Sequence, residues 1–126
     1  MDDCKLHKIT SVVGMVIWTD NLSRLLGFYK NILKLPVHSE KSDFVSFDFG
    51  AFRFNIGTHD RVGGDSKDPY RVMVHFEVSD IHSWHEYLNK QGVEFIRKPE
   101  IEHWGGSVAT FKDPDGNILQ MLEFQN

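Results

Sequence analysis

The chain has 126 residues, of which 40% are hydrophobic and ten are Phe, enough for one globular domain or for two half-sized units that share a core. Its formal net charge of -4 offers no basic surface, so neither nucleic acid nor a membrane is expected as a partner. A single cysteine, Cys4, cannot form an internal disulfide, and the opening residues lack the apolar core of a signal peptide. We therefore expect a cytoplasmic protein.

The chain contains an internal repeat. With a shift of 59 residues (73 − 14), the segment GMVIWTDNLSRLLGFY from Gly14 aligns without a gap with MVHFEVSDIHSWHEYL from Met73. Each copy predicts a strand followed by a helix. One copy alone buries too little apolar surface to offset its chain entropy, so we expect the two copies to fold together.

Each predicted helix has one apolar face. The residues at helical spacing are Leu22, Leu25, Leu26, Tyr29, Ile32 and Leu33 in the first helix, and Ile81, Trp84, Tyr87 and Leu88 in the second. Asp20 or Asn21 is the candidate N-cap of the first helix, and Ser79 or Asp80 that of the second. Gly92 is expected to end the second helix.

After each helix the apolar residues recur with a period of two, which predicts strands. These strands cover residues 44–49, 51–56, 107–111 and 117–124, with short strands around Val37 and Phe95. Gly50 supplies the first hairpin turn and Asp113 to Gly116 the second. The pattern predicts an α+β fold in one domain spanning 1–126, with two βαβββ repeats forming a curved mixed sheet around a cavity and the helices on its outer face. The first repeat spans about 10–57, the linker 58–69 and the second repeat about 70–124.

Strand alternation divides the side chains between two faces of the sheet. One face is apolar and is expected to contact the helices. The other face combines aromatic and polar residues, namely Trp18, Arg53, Asn55, Met73, His75, Glu77 and Gln120. Apolar walls with a few polar groups are typical of small-molecule sites, although a contact with another subunit or with solvent is the alternative interpretation.

The two βαβββ units, the segment FYKNILKLPV after the first strand and the closing FKDPDGNILQMLEF resemble the vicinal oxygen chelate superfamily. This superfamily includes glyoxalase I, bleomycin-resistance proteins, fosfomycin-resistance enzymes and extradiol dioxygenases. The resemblance covers residues 10 to 124. The stretch Trp104-Gly105-Gly106 is most similar to the bleomycin-resistance type, and Trp104 is interpreted either as a lid over the pocket or as an anchor of its loop.

The resemblance implies four positions that hold a metal ion in the metal-dependent members: Gly14, Asn55, Met73 and Gln120. Glycine has no ligand atom, the Met thioether suits few biological divalent ions, and neutral amide oxygens bind weakly. We therefore expect no metal and no other cofactor. The alternative is a divalent metal ion in a rebuilt site formed by His75, Glu77 and Gln120.

The leading hypothesis is a metal-free protein that binds a small organic ligand and resembles bleomycin-resistance proteins. Its ligand-binding residues are Trp18, Arg53, Asn55, Met73, His75, Trp104 and Gln120. By resemblance, a homodimer is expected. The alternative is an enzyme: a glyoxalase-like lyase or isomerase, or a dioxygenase, with a metal at His75, or a metal-free enzyme in which His75 or Glu77 is the catalytic general base. A third possibility is a structural or regulatory dimer whose concave face is filled by a neighbour.

Overall fold

A computed structural model describes residues 7–125, so Cys4 lies outside the described residues. The first unit consists of β1 (Gly14–Thr19), α1 (Leu22–Leu26, continued as a π-helix over Gly27–Ile32), β2 (Val37–Glu40), β3 (Phe44–Phe49) and β4 (Phe52–Thr58). The second unit consists of β5 (Val74–Glu77), α2 (Ile81–Lys90), β6 (Phe95–Ile101), β7 (Ser107–Lys112) and β8 (Ile118–Glu123). The predicted α+β fold with two βαβββ units is confirmed.

The helix ends follow from local hydrogen bonds. At the start of α1, the Asn21 side chain accepts a bond of 3.2 Å from the Arg24 backbone N–H. At the start of α2, Asp80 accepts one of 3.1 Å from the backbone N–H of Ser83. Gly92 follows α2 with a φ of 81°, which glycine adopts without steric cost. One of the two candidate caps is thus confirmed for each helix.

The second half of α1 is a π-helix, which the sequence did not predict. The Leu33 N–H donates to the Phe28 carbonyl oxygen, five residues earlier, over 2.9 Å. Lys34 then ends the helix with a φ of 59°. Phe28 and Tyr29, adjacent in this wider turn, are both buried. No helix in the described 7–125 range is long and apolar enough to cross a membrane.

Each unit forms its own four-stranded mixed sheet. The strand orders are β1-β4-β3-β2 and β5-β8-β7-β6. β1 runs parallel to β4 and β5 runs parallel to β8, whereas the other neighbours are antiparallel. The same topology in both units is what the internal repeat predicts.

The two sheets and both helices share one apolar core. The Phe54 ring of β4 lies 5.7 Å from the Phe76 ring of β5, and Phe28 of α1 lies 6.5 Å from Phe111 of β7, measured between ring centroids. The Tyr87 hydroxyl of α2 donates to the Ile32 carbonyl oxygen of α1 over 2.8 Å. Both sheets direct their apolar faces toward this core, so their other faces point away from it.

A buried carboxylate, Asp113, joins the second sheet to α1. The Tyr29 hydroxyl donates to Asp113 Oδ2 over 2.7 Å, and the Asn117 side-chain amide donates to the same oxygen over 2.8 Å. The backbone N–H groups of Asp115 and Asn117 donate to Oδ1. Burial raises the pKa of Asp113, and burial followed by the charge of Asp113 raises the pKa of Tyr29 well above its ordinary value. The predicted turn from Asp113 to Gly116 thus also fixes α1 to the second sheet.

Candidate ligand-binding site

The first sheet carries three of the predicted ligand-binding residues on its outward face. Trp18 lies on β1, and Arg53 and Asn55 lie on β4, which pairs with β1 in parallel. Paired residues of adjacent strands point to the same side of a sheet, so the register fixes which side chains share this face. We call it the first outer face, and it consists of Gly14, Val16, Trp18, Phe44, Ser46, Arg53 and Asn55.

All of the first outer face except Ser46 lines an open depression of about 850 Å³. Arg53 Nη1 donates to Asp48 Oδ1 over 3.1 Å and to the Gly50 carbonyl oxygen over 2.6 Å. Asn55 Nδ2 donates to the Met15 carbonyl oxygen over 3.0 Å. These bonds fix both side chains, and they leave Arg53 Nε and Nη2 and Asn55 Oδ1 available to a ligand.

Trp18 forms the aromatic end of this depression. Its ring lies 6.0 Å from the Phe44 ring and 5.3 Å from the His59 ring, between centroids. Gly57 lies beneath the indole, because a Cβ at that position would come within 2.8 Å of both Trp18 and Phe44. The small residue therefore leaves room for the indole beside β4, where it presents an apolar wall.

The second sheet carries His75, Glu77 and Gln120 on its own outward face. Register places His75 beside Gln120 and Glu77 beside Leu122, and Thr110 of β7 lies on the other side of Gln120. Gln120 Nε2 donates to Thr110 Oγ1 over 3.1 Å, which leaves Gln120 Oε1 as an acceptor. His75 and Glu77 are exposed. We call the five residues His75, Glu77, Thr110, Gln120 and Leu122 the second outer face.

Met73 and Trp104 lie at the margins of the second sheet. Met73 is half-buried and precedes the first residue of β5. Trp104, in the loop between β6 and β7, lies 5.6 Å from the Phe124 ring, and its own ring covers Gly106, where a Cβ would lie 1.8 Å away. Phe124 continues the alternation of Gln120 and Leu122. Trp104 therefore packs at the end of the second outer face.

The predicted lining is divided between the two sheets. Trp18, Arg53 and Asn55 lie on one outer face, whereas His75, Glu77 and Gln120 lie on the other. Within the described residues, no hydrogen bond or ring contact joins the two groups. Since both outer faces point away from the shared core, one chain does not bring Asn55 next to His75 and Gln120.

Strand β1 has a free edge beside the first outer face. It is the first strand of its sheet, and the carbonyl oxygens of Val13 and Thr19 accept bonds from the β4 side over 2.9 and 3.2 Å. In a strand, backbone groups point to alternate sides, so Gly14, Val16 and Trp18 direct their N–H and C=O groups toward the open edge. Such an edge can pair with another strand.

Strand β5 has a corresponding free edge beside the second outer face. The Val78 N–H donates to the Leu122 carbonyl oxygen over 2.9 Å, which places every second residue of β5 in the ladder with β8. His75 and Glu77, at the other positions, direct their backbone groups to the open side. Within residues 7–125, each outer face is thus bordered by a strand that has one edge without a partner strand.

The four positions implied by the family resemblance do not fit a metal ion. Gly14 has no ligand atom, and Met73 offers only a thioether. Asn55 and Gln120 lie on different outer faces, and the amide of each is fixed by a hydrogen bond within its own sheet. Moreover, in the part of the chain that the structure describes, no three His, Cys, Asp or Glu side chains are grouped so that they could hold a metal.

Sequence reasoning missed Phe44, Ser46 and Thr110, which share the outer faces with the predicted residues. Ser46 pairs with Asn55, and Thr110 pairs with Gln120. Alternation within 44–49 and 107–111 already separates these side chains from the core-facing ones, Val45, Phe47, Ala109 and Phe111. Which strand lies beside β4 or β8 was the missing information, because pairing is not encoded in a strand's own pattern.

Comparison with known proteins agrees with this fold. A family model described as a glyoxalase-like domain matches residues 12–124. The uncharacterized protein YraH of Bacillus subtilis (strain 168) is 25% identical over 116 residues, which cover 82% of this chain and 91% of that protein. A bleomycin resistance protein of Klebsiella pneumoniae is 41% identical over 32 residues, 25% of either chain.

Among solved structures, lactoylglutathione lyase from Agrobacterium tumefaciens is similar, with a TM-score of 0.72 and 15% identity. The superposition covers 93% of this chain and 96% of that one, and at this identity it shows likeness of fold alone. The family match extends over nearly the whole chain. The chain therefore belongs to the glyoxalase-like domain family.

Proposed function

We propose that the protein binds a small, partly apolar organic molecule in a cavity that two copies of the chain form together. In this arrangement the first outer face of one copy lies opposite the second outer face of the other. Binding is the activity, and no metal takes part. The observation that carries the proposal is the division of one aromatic and polar lining between two outward faces.

A ligand on one outer face alone would remain largely in water. Drug-sized ligands have 70–90% of their surface buried in their sites, and the depression on the first outer face is open. A second copy opposite this face supplies the missing wall. The divided lining therefore favours a shared cavity.

Exposed apolar side chains beside the free edges support a homodimer. Val12 and Val13, which precede β1, are 74% and 68% exposed, and Val72, which precedes β5, is 72% exposed. Clustered exposed apolar residues are typical of interaction surfaces. Pairing through the edge of β1 also satisfies its open backbone groups.

The chemistry of the lining defines the ligand class. Trp18 provides an aromatic wall, and Arg53 provides guanidinium donors for a carbonyl, carboxylate or phenolate oxygen. Asn55 and Gln120 each retain an acceptor oxygen for a ligand N–H or O–H. We therefore propose a planar molecule that carries both hydrogen-bond acceptors and donors, with aromatic antibiotics, bleomycin included, as the first compounds to test.

The direct test is isothermal titration against a panel of aromatic antibiotics and aromatic metabolites, with the dimer measured by sedimentation. At least one compound is expected to bind with one site per chain, and Gln120→Ala should weaken its binding about tenfold. Gln91→Ala, which removes the same side chain from the exposed C-cap position after α2, is the matched control and should leave affinity unchanged. The proposal is contradicted if the protein is a monomer at all concentrations, or if no compound of the panel binds.

A second candidate function rests on the pairing of His75 with Gln120. With Glu77 two residues further along the same strand, these side chains offer an imidazole, an amide oxygen and a carboxylate on one face, as ligands of a rebuilt site for a divalent ion. Such an ion would polarise vicinal oxygens in a lyase, isomerase or dioxygenase reaction. Elemental analysis of the purified protein separates the candidates: stoichiometric metal that is lost in His75→Ala favours the enzyme.

A further inference from the structure

A second cavity opens on the core side of the sheets, and His75 and Glu77 are the residues that it shares with an outer face. It has a volume of about 490 Å³ and lies between the β3–β4 hairpin, β5 and α2. We call it the hollow. Its lining includes the aromatic residues Phe49, Phe52, Phe54, Phe76 and Trp84.

The hollow exists because the two repeats have different turns. In the second unit, five residues from Asp113 to Asn117 join β7 to β8, and Asp113 contacts Tyr29 of α1. By the internal repeat, Leu88 of α2 corresponds to Tyr29. In the first unit, the turn contains only Gly50 and Ala51. The long turn of the second unit fills one end of the core beside α1. The short turn of the first unit leaves the corresponding end, beside α2, open.

The side chains that line the hollow are almost all apolar, and five of these side chains are aromatic. Phe54 and Met121 form a buried floor, while Phe49 is 44% exposed at the margin. No lysine or arginine lines it, and Glu77 is its only carboxylate. A ligand with a carboxylate or phosphate would find no cation here, so the lining selects against anions.

The free edge of β5 supplies the polar atoms at this cavity. His75 and Glu77 direct their backbone N–H and C=O groups to the open side of the strand, and both residues line the hollow. These groups can bond one donor or acceptor of a ligand whose body lies among the rings. The volume lies within the range of small-molecule sites, about 300 to 1,000 Å³.

We propose that the hollow is a second binding site, separate from the cavity of the proposed function, for an uncharged aromatic molecule. The aromatic walls contact the rings of the ligand, and the edge of β5 bonds its single polar group. This inference does not depend on the dimer or on the ligand of the outer faces.

The neutral fluorescent probe N-phenyl-1-naphthylamine tests this site. It is expected to bind with one site per chain and to gain fluorescence. Val74→Trp, which fills the hollow, should weaken its binding at least about tenfold. Val16→Trp places the same large side chain on the first outer face, also at a half-buried valine, and should leave probe binding unchanged.

A measurement on the wild-type protein gives a result that does not depend on whether a variant folds. In carbon–proton NMR spectra, the methyl signals of Leu35, Val74, Val78 and Met121 should shift on addition of the probe, whereas those of Val16 should not. Saturation of the probe without shifts at the hollow overturns the proposal. So does probe binding that appears only on dilution to monomers, since the hollow would then be filled by a second copy.

Discussion

Replacing Asp113 with alanine is expected to lower the free energy of unfolding by about 3 to 5 kcal/mol. The carboxylate accepts four hydrogen bonds, from the Tyr29 hydroxyl, the backbone N–H groups of Asp115 and Asn117, and the Asn117 amide. Alanine leaves these donors without a partner, and Tyr29 is fully buried. Urea unfolding, monitored by tryptophan fluorescence, measures the loss.

Two further variants provide reference values for the loss of unfolding free energy in Asp113→Ala. Tyr29→Phe removes only one of the four donors and should cost about 1 to 2 kcal/mol. Asp60→Ala removes a carboxylate that is 95% exposed and should change stability by less than about 0.5 kcal/mol. If Asp113→Ala costs no more than Asp60→Ala, the buried network does not hold α1 to the second sheet.

The cost of Asp113→Ala should also depend on pH. Burial raises the pKa of Asp113 in the folded chain above 3.8, the usual value, which applies to the unfolded chain. Between pH 3.8 and the folded-state pKa, the folded chain therefore holds a proton that the unfolded chain has lost. The stability that this residue contributes is thus complete below about pH 3.8 and declines as the pH rises through the folded-state pKa. The difference between wild type and Asp113→Ala is expected to be larger at pH 3.5 than at pH 7. A difference that grows with pH contradicts the raised pKa.

Two variants that each lose ligand binding are expected to recover it when they are mixed. The first, Arg53→Ala/Asn55→Ala, damages the first outer face, and the second, His75→Ala/Gln120→Ala, damages the second. In either homodimer both cavities contain a damaged face, so binding of the compound found by titration should weaken about a hundredfold. A mixed dimer contains one cavity built from two undamaged faces.

Random exchange of subunits makes half of the dimers mixed, so about one quarter of all cavities should regain wild-type affinity. Titration gives this fraction, and native mass spectrometry confirms that subunits have exchanged. As a control, Trp18→Ala mixed with Arg53→Ala/Asn55→Ala should recover nothing, since every cavity then has a damaged first outer face. Complete exchange without recovery in the first mixture would place the site within one chain.

Local sequence patterns predicted most of the secondary structure, though not the π-helical half of α1, and the two faces of the strands. Asn21 and Asp80 cap their helices through side chains that bond a backbone N–H three residues on, which needs no distant partner. Alternation correctly separated buried Phe54 and Ile56 from Asn55, because successive side chains of a strand point in opposite directions.

Only the tertiary structure decided how these parts meet. Tyr29 and Asp113 bond across 84 positions of the chain, and neither residue's neighbours predict the other. The sequence correctly identified a mixed lining, yet both sheets turn their apolar faces to one shared core, which sends Asn55 and His75 to different outer faces. The hollow likewise arises from the unequal turns of the two units. Alternation fixes the side of a strand on which a residue lies, whereas the element that this side faces depends on contacts between distant segments.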